Sequence, residues 1–162
     1  MSPAKIAEAF RAACAEELSA PKPGNVHVFA DGHRMTADDF LRSAAVAAPG
    51  LCREGAKLGE RVLDAIRATR DAVGQNTNLG IVLLAAPLVM AAERDGGGLR
   101  FRVRRVLETA DVADTRAIFT AIREAAPAGL GDAAQYDVRG VADVVPRVAM
   151  AAAADRDSIA RQ

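Results

Sequence analysis

A chain of 162 residues with 51% apolar side chains is long enough to bury one substantial core, and a single domain is the expectation at this length. Its 21 basic residues balance 21 acidic ones, so no net field draws it to nucleic acid or to an anionic membrane, and an anionic ligand must be met locally. Alanine is abundant, tryptophan is absent and aromatics make up 4% of the chain; this composition favours closely packed helices over sheets and predicts an all-α fold, a bundle-like multi-helix domain with long loops.

Ser2 followed by Pro3 reads as an N-cap with a first-turn proline, and Ile6, Phe10, Cys14 and Leu18 recur at helical spacing, so a first helix is expected over about Pro3 to Leu18. Its acidic residues Glu8, Glu16 and Glu17 do not fit a signal peptide, and no export is expected. From Ser19 to Met35 the pattern dissolves into Pro, Gly, Asn, His and Asp, a long loop of the kind that is usually functional or disordered. Thr36, with Asp38 and Asp39 behind it, caps a second helix expected to stop near Pro49-Gly50. A third is expected from about Cys52 to Val73, with Leu58, Val62, Ile66 and Thr69 on one side and Arg61, Arg67 and Arg70 on others, ended by Gly74.

The segment from about Asn78 to Arg94 is apolar nearly all round, which predicts a helix enclosed by others. Its run Leu79 to Ala92 contains Pro87 and falls short of the ~18–20 apolar residues that span a bilayer. After Gly96-Gly97-Gly98, helices are expected over Leu99 to Thr109 and, capped by Asp111, over Val112 to Ala125. Pro127 to Asp137 is a third irregular loop. Val141 to Gln162 reads as one alanine-rich helix with no stop signal, so the natural protein is expected to continue. Cys14 and Cys52 lack metal-ligand spacing and are expected as buried, reduced thiols, which suits a cytoplasmic setting.

Two polar stretches stand out as sites. Pro21-Lys22-Pro23-Gly24-Asn25 holds a cation on a loop stiffened by prolines, with a glycine where backbone can approach a ligand closely: a phosphate grip, or an ordinary turn. Gln75-Asn76-Thr77-Asn78-Leu79-Gly80 sets four polar side chains before the most apolar helix, whose N-terminus offers free N–H groups to phosphate or ribose oxygens. Capping by Thr77 or Asn78 is the simpler explanation, but it needs only one residue. Asp155 and Asp157, with Asp132 and Asp137 upstream, are candidates for a carboxylate cluster serving magnesium or proton transfer; residues at i and i+2 face different ways on a helix, and a solvated helix end is the alternative. Arg161, four residues after Asp157, has the spacing of a helical salt bridge. The two histidines, His27 and His33, show no metal-site pattern. No Walker loop, Gly-x-Gly-x-x-Gly or Gly-x-Ser-x-Gly occurs, so the common nucleotide and hydrolase folds lack support.

Taken in order, Ser19-Ala20-Pro21-Lys22-Pro23-Gly24-Asn25-Val26, Phe40-Leu41-Arg42-Ser43-Ala44, Asn76-Thr77-Asn78-Leu79-Gly80, Gly129-Leu130-Gly131 and Asp155-Arg156-Asp157-Ser158-Ile159-Ala160-Arg161-Gln162 resemble successive blocks of the triphosphoribosyl-dephospho-CoA synthase family. The chain looks like an N-terminal part of an archaeal and methylotroph branch rather than of the citrate-lyase-linked one. The resemblance implies a helical enzyme that moves the triphosphoribosyl unit of ATP to the ribose 2′-hydroxyl of 3′-dephospho-CoA and releases adenine. It implies phosphate binding by Lys22, helped by Pro23, Gly24, Asn25 and His27. It also implies ribose or phosphate contacts from Asn76, Thr77, Asn78, Gly80, Gly129, Gly131 and Arg161, and catalytic roles for Asp132, Asp155 and Asp157, the last two as magnesium ligands. ATP and a CoA-like or other nucleotide acceptor are the implied partners, and a homo-oligomer is left open. Two rivals stand beside this: another ribosyl or phosphoribosyl transferase in pterin-type one-carbon cofactor synthesis, and a noncatalytic helical module that binds a nucleotide or a protein.

Overall fold

The computed structural model describes residues 1–20, 35–127 and 130–162, and the regular structure of these residues is helical. The helices are α1 (Pro3–Ser19), α2 (Ala37–Leu51), α3 (Leu58–Val73), α4 (Leu79–Ala92), α5 (Leu99–Thr109), α6 (Val112–Ala125), α7 (Pro146–Ala153) and α8 (Ser158–Arg161). No helix among the described residues is long and apolar enough to cross a membrane.

The helix starts are set locally. Thr36 and Asp39 form a reciprocal capping box at α2, Asp39 N donating to Thr36 Oγ1 at 3.3 Å and Thr36 N to Asp39 Oδ2 at 2.9 Å. Asp111 and Asp114 repeat it at α6 with bonds of 3.1 and 2.9 Å. Gly74, at φ +76°, ends α3 in the left-handed conformation that glycine adopts without steric cost.

At the centre of the assembly, α3 packs on α2, α6 and α4, while α1 lies on α2, α5 on α4, and α7 and α8 complete the side beyond α6 and α4. Leu51, Val62, Ala65, Ile66, Val82 and Ala86 are sealed in the shared core. Small residues let the axes approach: a Cβ on Gly59 would lie 2.5 Å from the Asp114 carbonyl oxygen. Asp114 Oδ1 instead accepts the Gly59 N–H at 2.8 Å, so one buried carboxylate closes α6's cap and docks it on α3. Arg61, 1% exposed, forms a bidentate pair with Glu93 at 2.6 and 2.8 Å and donates to the carbonyls of Leu51 and Ala56. It ties the ends of α2 and α4 to α3.

α2 ends at Leu51, beside Pro49-Gly50 as expected, and its last turn closes with Cys52 N donating to Ala48 O at 2.9 Å. Three expectations need correction. α3 begins at Leu58 rather than Cys52, because Gly55 takes φ +76° and breaks the intervening turn. α4 is not enclosed on every side, since Leu84 and Leu88 are 36% and 45% exposed. The expected terminal helix is two short ones. Pro146 suits a first turn rather than a helix interior, and Asp157 Oδ1 caps α8 by accepting from Ile159 N and Ala160 N. Residues ahead of Pro146 are held by α6 side chains instead, Thr115 Oγ1 donating to Val144 O at 2.7 Å and Arg116 Nε to Ala142 O at 3.2 Å.

Candidate functional site

The polar stretch before α4 divides its labour. Asn76 Oδ1 accepts the N–H of Leu79 at 3.1 Å, so Asn76, not Thr77 or Asn78, supplies the side-chain cap. Thr77 and Asn78 are buried instead, 9% and 5% exposed. Ser43 on α2 gives its hydroxyl hydrogen to Asp39 O at 2.6 Å, and its oxygen lies 2.6 Å from Thr77 Oγ1; with that hydrogen spent, Thr77 is the donor of the pair. Thr69 on α3 likewise donates to Ala65 O at 3.0 Å and accepts from Asn78 Nδ2 at 3.0 Å. Two helix hydroxyls thus anchor two successive residues of the motif. Asn78 Oδ1 is closed off from solvent and has no hydrogen-bond partner among the described residues, a state that costs about 1–3 kcal/mol when left uncompensated.

On the opposite side the loop after α6 is braced by a charged cluster. Asp137 accepts from Ala133 N at 2.9 Å and from Arg139 N and Nε at 2.9 and 2.8 Å. The Arg139 guanidinium holds the Asp137 carboxyl well below the usual carboxylate range, with the two backbone N–H bonds adding to it. Arg139 also pairs with Asp132 at 2.5 Å, so these two carboxylates share one guanidinium. Arg123 of α6 donates to Val138 O, and Phe119, Ala142 and Ala149 form a small apolar cluster beneath the loop. Tyr136, the chain's single tyrosine, takes φ +49°, a left-handed conformation uncommon outside glycine and often found at sites.

Between these walls lies a cavity of about 520 Å³, within the range of small-molecule sites. α4 contributes Leu79, Gly80 and Leu83 with Asn76 ahead of it, and α6 contributes Phe119 and Ile122. The following loop adds Gly131, Gln135 and Tyr136, and the C-terminal segments add Met150, Arg156, Asp157 and Ile159. Gly80 is where two motif blocks meet: a Cβ there would lie 3.2 Å from Ile159 Cδ1. Arg156 anchors the far wall, donating to the Asp132 carbonyl oxygen at 3.0 Å.

Of the residues expected at the site, Asn76, Gly80, Gly131 and Asp157 line this cavity, and Thr77 and Asn78 stand behind its α4 wall. Asp132 sits beside it in the Arg139 pair. Asp155 and Arg161 do not line it; Arg161 donates to the carbonyls of Ala154 and Asp155, at 2.9 and 3.4 Å, in place of the expected salt bridge to Asp157. Lys22, Pro23, Gly24, Asn25, His27 and Gly129 lie outside the described residues. Arg156, Gln135 and Tyr136 carried no assignment from sequence. Arg156 stands between two aspartates and passes for part of a solvated charge run, while a lone Tyr in a loop gives no periodic signal.

Among the described residues no three His, Cys, Asp or Glu side chains gather as a metal cage. One oxygen of Asp157 already caps α8.

No curated relative and no solved structure matches the chain. The family CitG, ATP:dephospho-CoA triphosphoribosyl transferase, matches residues 3–162. That span contains every block brought to the cavity, from the cap of α4 to the turn into α8, and the chain belongs to this family, whose activity is triphosphoribosyl-dephospho-CoA synthesis.

Proposed function

We propose that the cavity between α4, the 130–138 loop and the C-terminal turn is where ATP is held for transfer of its triphosphoribosyl unit to 3′-dephospho-CoA. The observation that carries this is the convergence of three motif blocks, at Asn76 and Gly80, at Gly131 and at Asp157, on one concave space. Arg156 and the N-terminus of α4 supply positive potential for phosphate oxygens. Asn76 adds a donor, because its Oδ1 is spent on Leu79 N and its Nδ2 remains. Leu79, Leu83, Ile122 and Met150 give an apolar wall suited to a purine or to the acceptor's arm. Lys22 keeps its role as a phosphate ligand in this reading.

In the transfer, the acceptor's 2′-oxygen forms a bond to the anomeric carbon of ATP as the bond from that carbon to adenine breaks. The hydroxyl proton passes to a base, and adenine leaves as the neutral base with a proton from its surroundings. Among the aspartates expected to act as base, Asp157 lines the cavity and keeps one oxygen outside the α8 cap, so it is the assignment favoured here. Asp132 is committed to Arg139 and serves the loop. Magnesium enters with the ATP triphosphate. Two buried free thiols suit a reducing, cytoplasmic setting.

The test is adenine release. With ATP, magnesium and dephospho-CoA the chain is expected to liberate adenine in step with acceptor consumption, and Asp157→Asn is expected to lower the rate at least about 100-fold, the scale of a lost general base. Adenine release that ignores the acceptor, or that Asp157→Asn leaves intact, contradicts the proposal.

A further inference from the structure

Two neighbouring side chains on the cavity wall have no partner in the fold. Gln135 and Tyr136 both line the space, and neither side chain makes a hydrogen bond among the described residues. Gln135 is exposed, and the Tyr136 hydroxyl, unlike Asn78 Oδ1, is open to solvent, so a ligand in the cavity reaches both. The backbone holds them there at a cost. A bulky aromatic residue at φ +49° is strained, and the Asp137 carboxylate keeps the turn closed by accepting from Ala133 N on one side of Tyr136 and from Arg139 N on the other. The Tyr136 ring rests against the cluster of Phe119, Ala142 and Ala149, and Phe119, Ile122, Pro127 and Leu130 line the cavity with it. The wall built by α6 and its loop is therefore aromatic and apolar with two unused polar groups, whereas the charge comes from Arg156 and the N-terminus of α4.

Deepening the functional reading above, and resting on it, we propose that Gln135 and Tyr136 form an adenine-reading subsite, the Gln135 amide pairing with the 6-amino group and the ring nitrogen beside it while the Tyr136 ring supplies a flat surface for the purine. The chemistry selects the base. A side-chain amide carries a donor and an acceptor side by side, and so does either edge of adenine, where the amino hydrogen lies next to N1 or N7. With no partner fixing it, the Gln135 amide turns to match. A phosphate presents only acceptors and engages half of an amide, and it gains nothing from an aromatic surface. Stacking on an aromatic ring, by contrast, is available to any base. Tyr136 thus contributes affinity for a purine, and Gln135 the preference for one that carries an amino group.

Adenine occurs in ATP and in dephospho-CoA, and titration calorimetry has an arm for each. The ligands are ATP and purine riboside 5′-triphosphate, which lacks only the 6-amino group, then dephospho-CoA and its counterpart with unsubstituted purine. The wild type is expected to bind the adenine member of one pair about tenfold more tightly than the other member, and that pair identifies the substrate whose base is read. Gln135→Ala is expected to bring the ratio within about threefold of unity. Tyr136→Leu is expected to weaken both members of the pair about fivefold or more, and Tyr136→Phe to weaken neither. All three variants should keep the wild-type affinity for inorganic triphosphate. A preference that survives Gln135→Ala overturns the inference, as does a wild type that binds ATP but ignores the amino group in both pairs; either leaves the functional reading standing. A Tyr136→Leu variant that also loses triphosphate makes the ring a brace for the loop and overturns its part. Failure of the wild type to bind either parent nucleotide overturns the functional reading instead, and this inference with it.

Discussion

Arg156 is the residue on which the electrostatics of the cavity turn. It is a cation in the wall with its own bond to the Asp132 carbonyl oxygen. Arg156→Ala is expected to raise KM for ATP about tenfold or more with little change in melting temperature, and Arg156→Lys to recover only part of this, since an ammonium cannot reproduce bidentate contacts. An unchanged KM in steady-state kinetics would remove Arg156 from the phosphate site. Cys14 makes a prediction of another kind. Burial, helped by the charge of Glu17, pushes its thiol from 9.0 up to about 11. The folded state therefore holds the proton more tightly than the unfolded chain does. Its contribution is complete below about pH 9 and is lost as pH rises from there through 11, amounting to about 3 kcal/mol by the usual conversion. Thermal melts between pH 7 and 11 should show a fall above pH 9 that Cys14→Ala reduces; equal slopes for both proteins would contradict the assignment.

At the scale of elements, much was legible from sequence where a boundary has a chemical cause. α5 and α6 run as expected, over Leu99–Thr109 and Val112–Ala125, because Gly98 and the Asp111–Asp114 box leave little choice. The C-terminal segment misled because alanine periodicity outlasts the helix: neither Pro146 nor the capping carboxylate of Asp157 disturbs the apolar pattern, yet each starts a new element. Likewise the apolar circumference of α4 predicts enclosure but not which face stays open, and Leu84 and Leu88 are open. The close approach of α3 and α6 is a further expected outcome. Gly59→Ala must push backbone apart at Asp114, where a Cβ would sit 2.5 Å from a carbonyl oxygen. A loss of about 2 kcal/mol or more is expected in urea denaturation, and a neutral result would show that the two helices are less tightly apposed.

For the molecule as a whole, the candidate site was visible from sequence in pieces, which the fold brings to one cavity. Asn76, Gly80, Gly131 and Asp157 were recognisable because their blocks share an order with a family. Nothing in that order says that Gly80 meets Ile159 or that Arg139 pairs with both Asp132 and Asp137. Arg61 was expected away from the apolar side of α3, yet it is buried with Glu93 and braces three helices. Removing one partner strands a buried charge, so Glu93→Ala is expected to cost about 3–5 kcal/mol in chemical denaturation. A double replacement by apolar residues of similar volume should cost less, and equal losses would show that the pair is not coupled.

The claim that joins these scales is that ATP occupies the cavity walled by α4 and the C-terminal turn. Photo-cross-linking with 8-azido-ATP followed by peptide mapping tests it most directly. Labelling within residues 130–138 or 146–160, abolished by excess ATP, is the predicted result; competed labelling confined to the exposed outer face of α5 would contradict it.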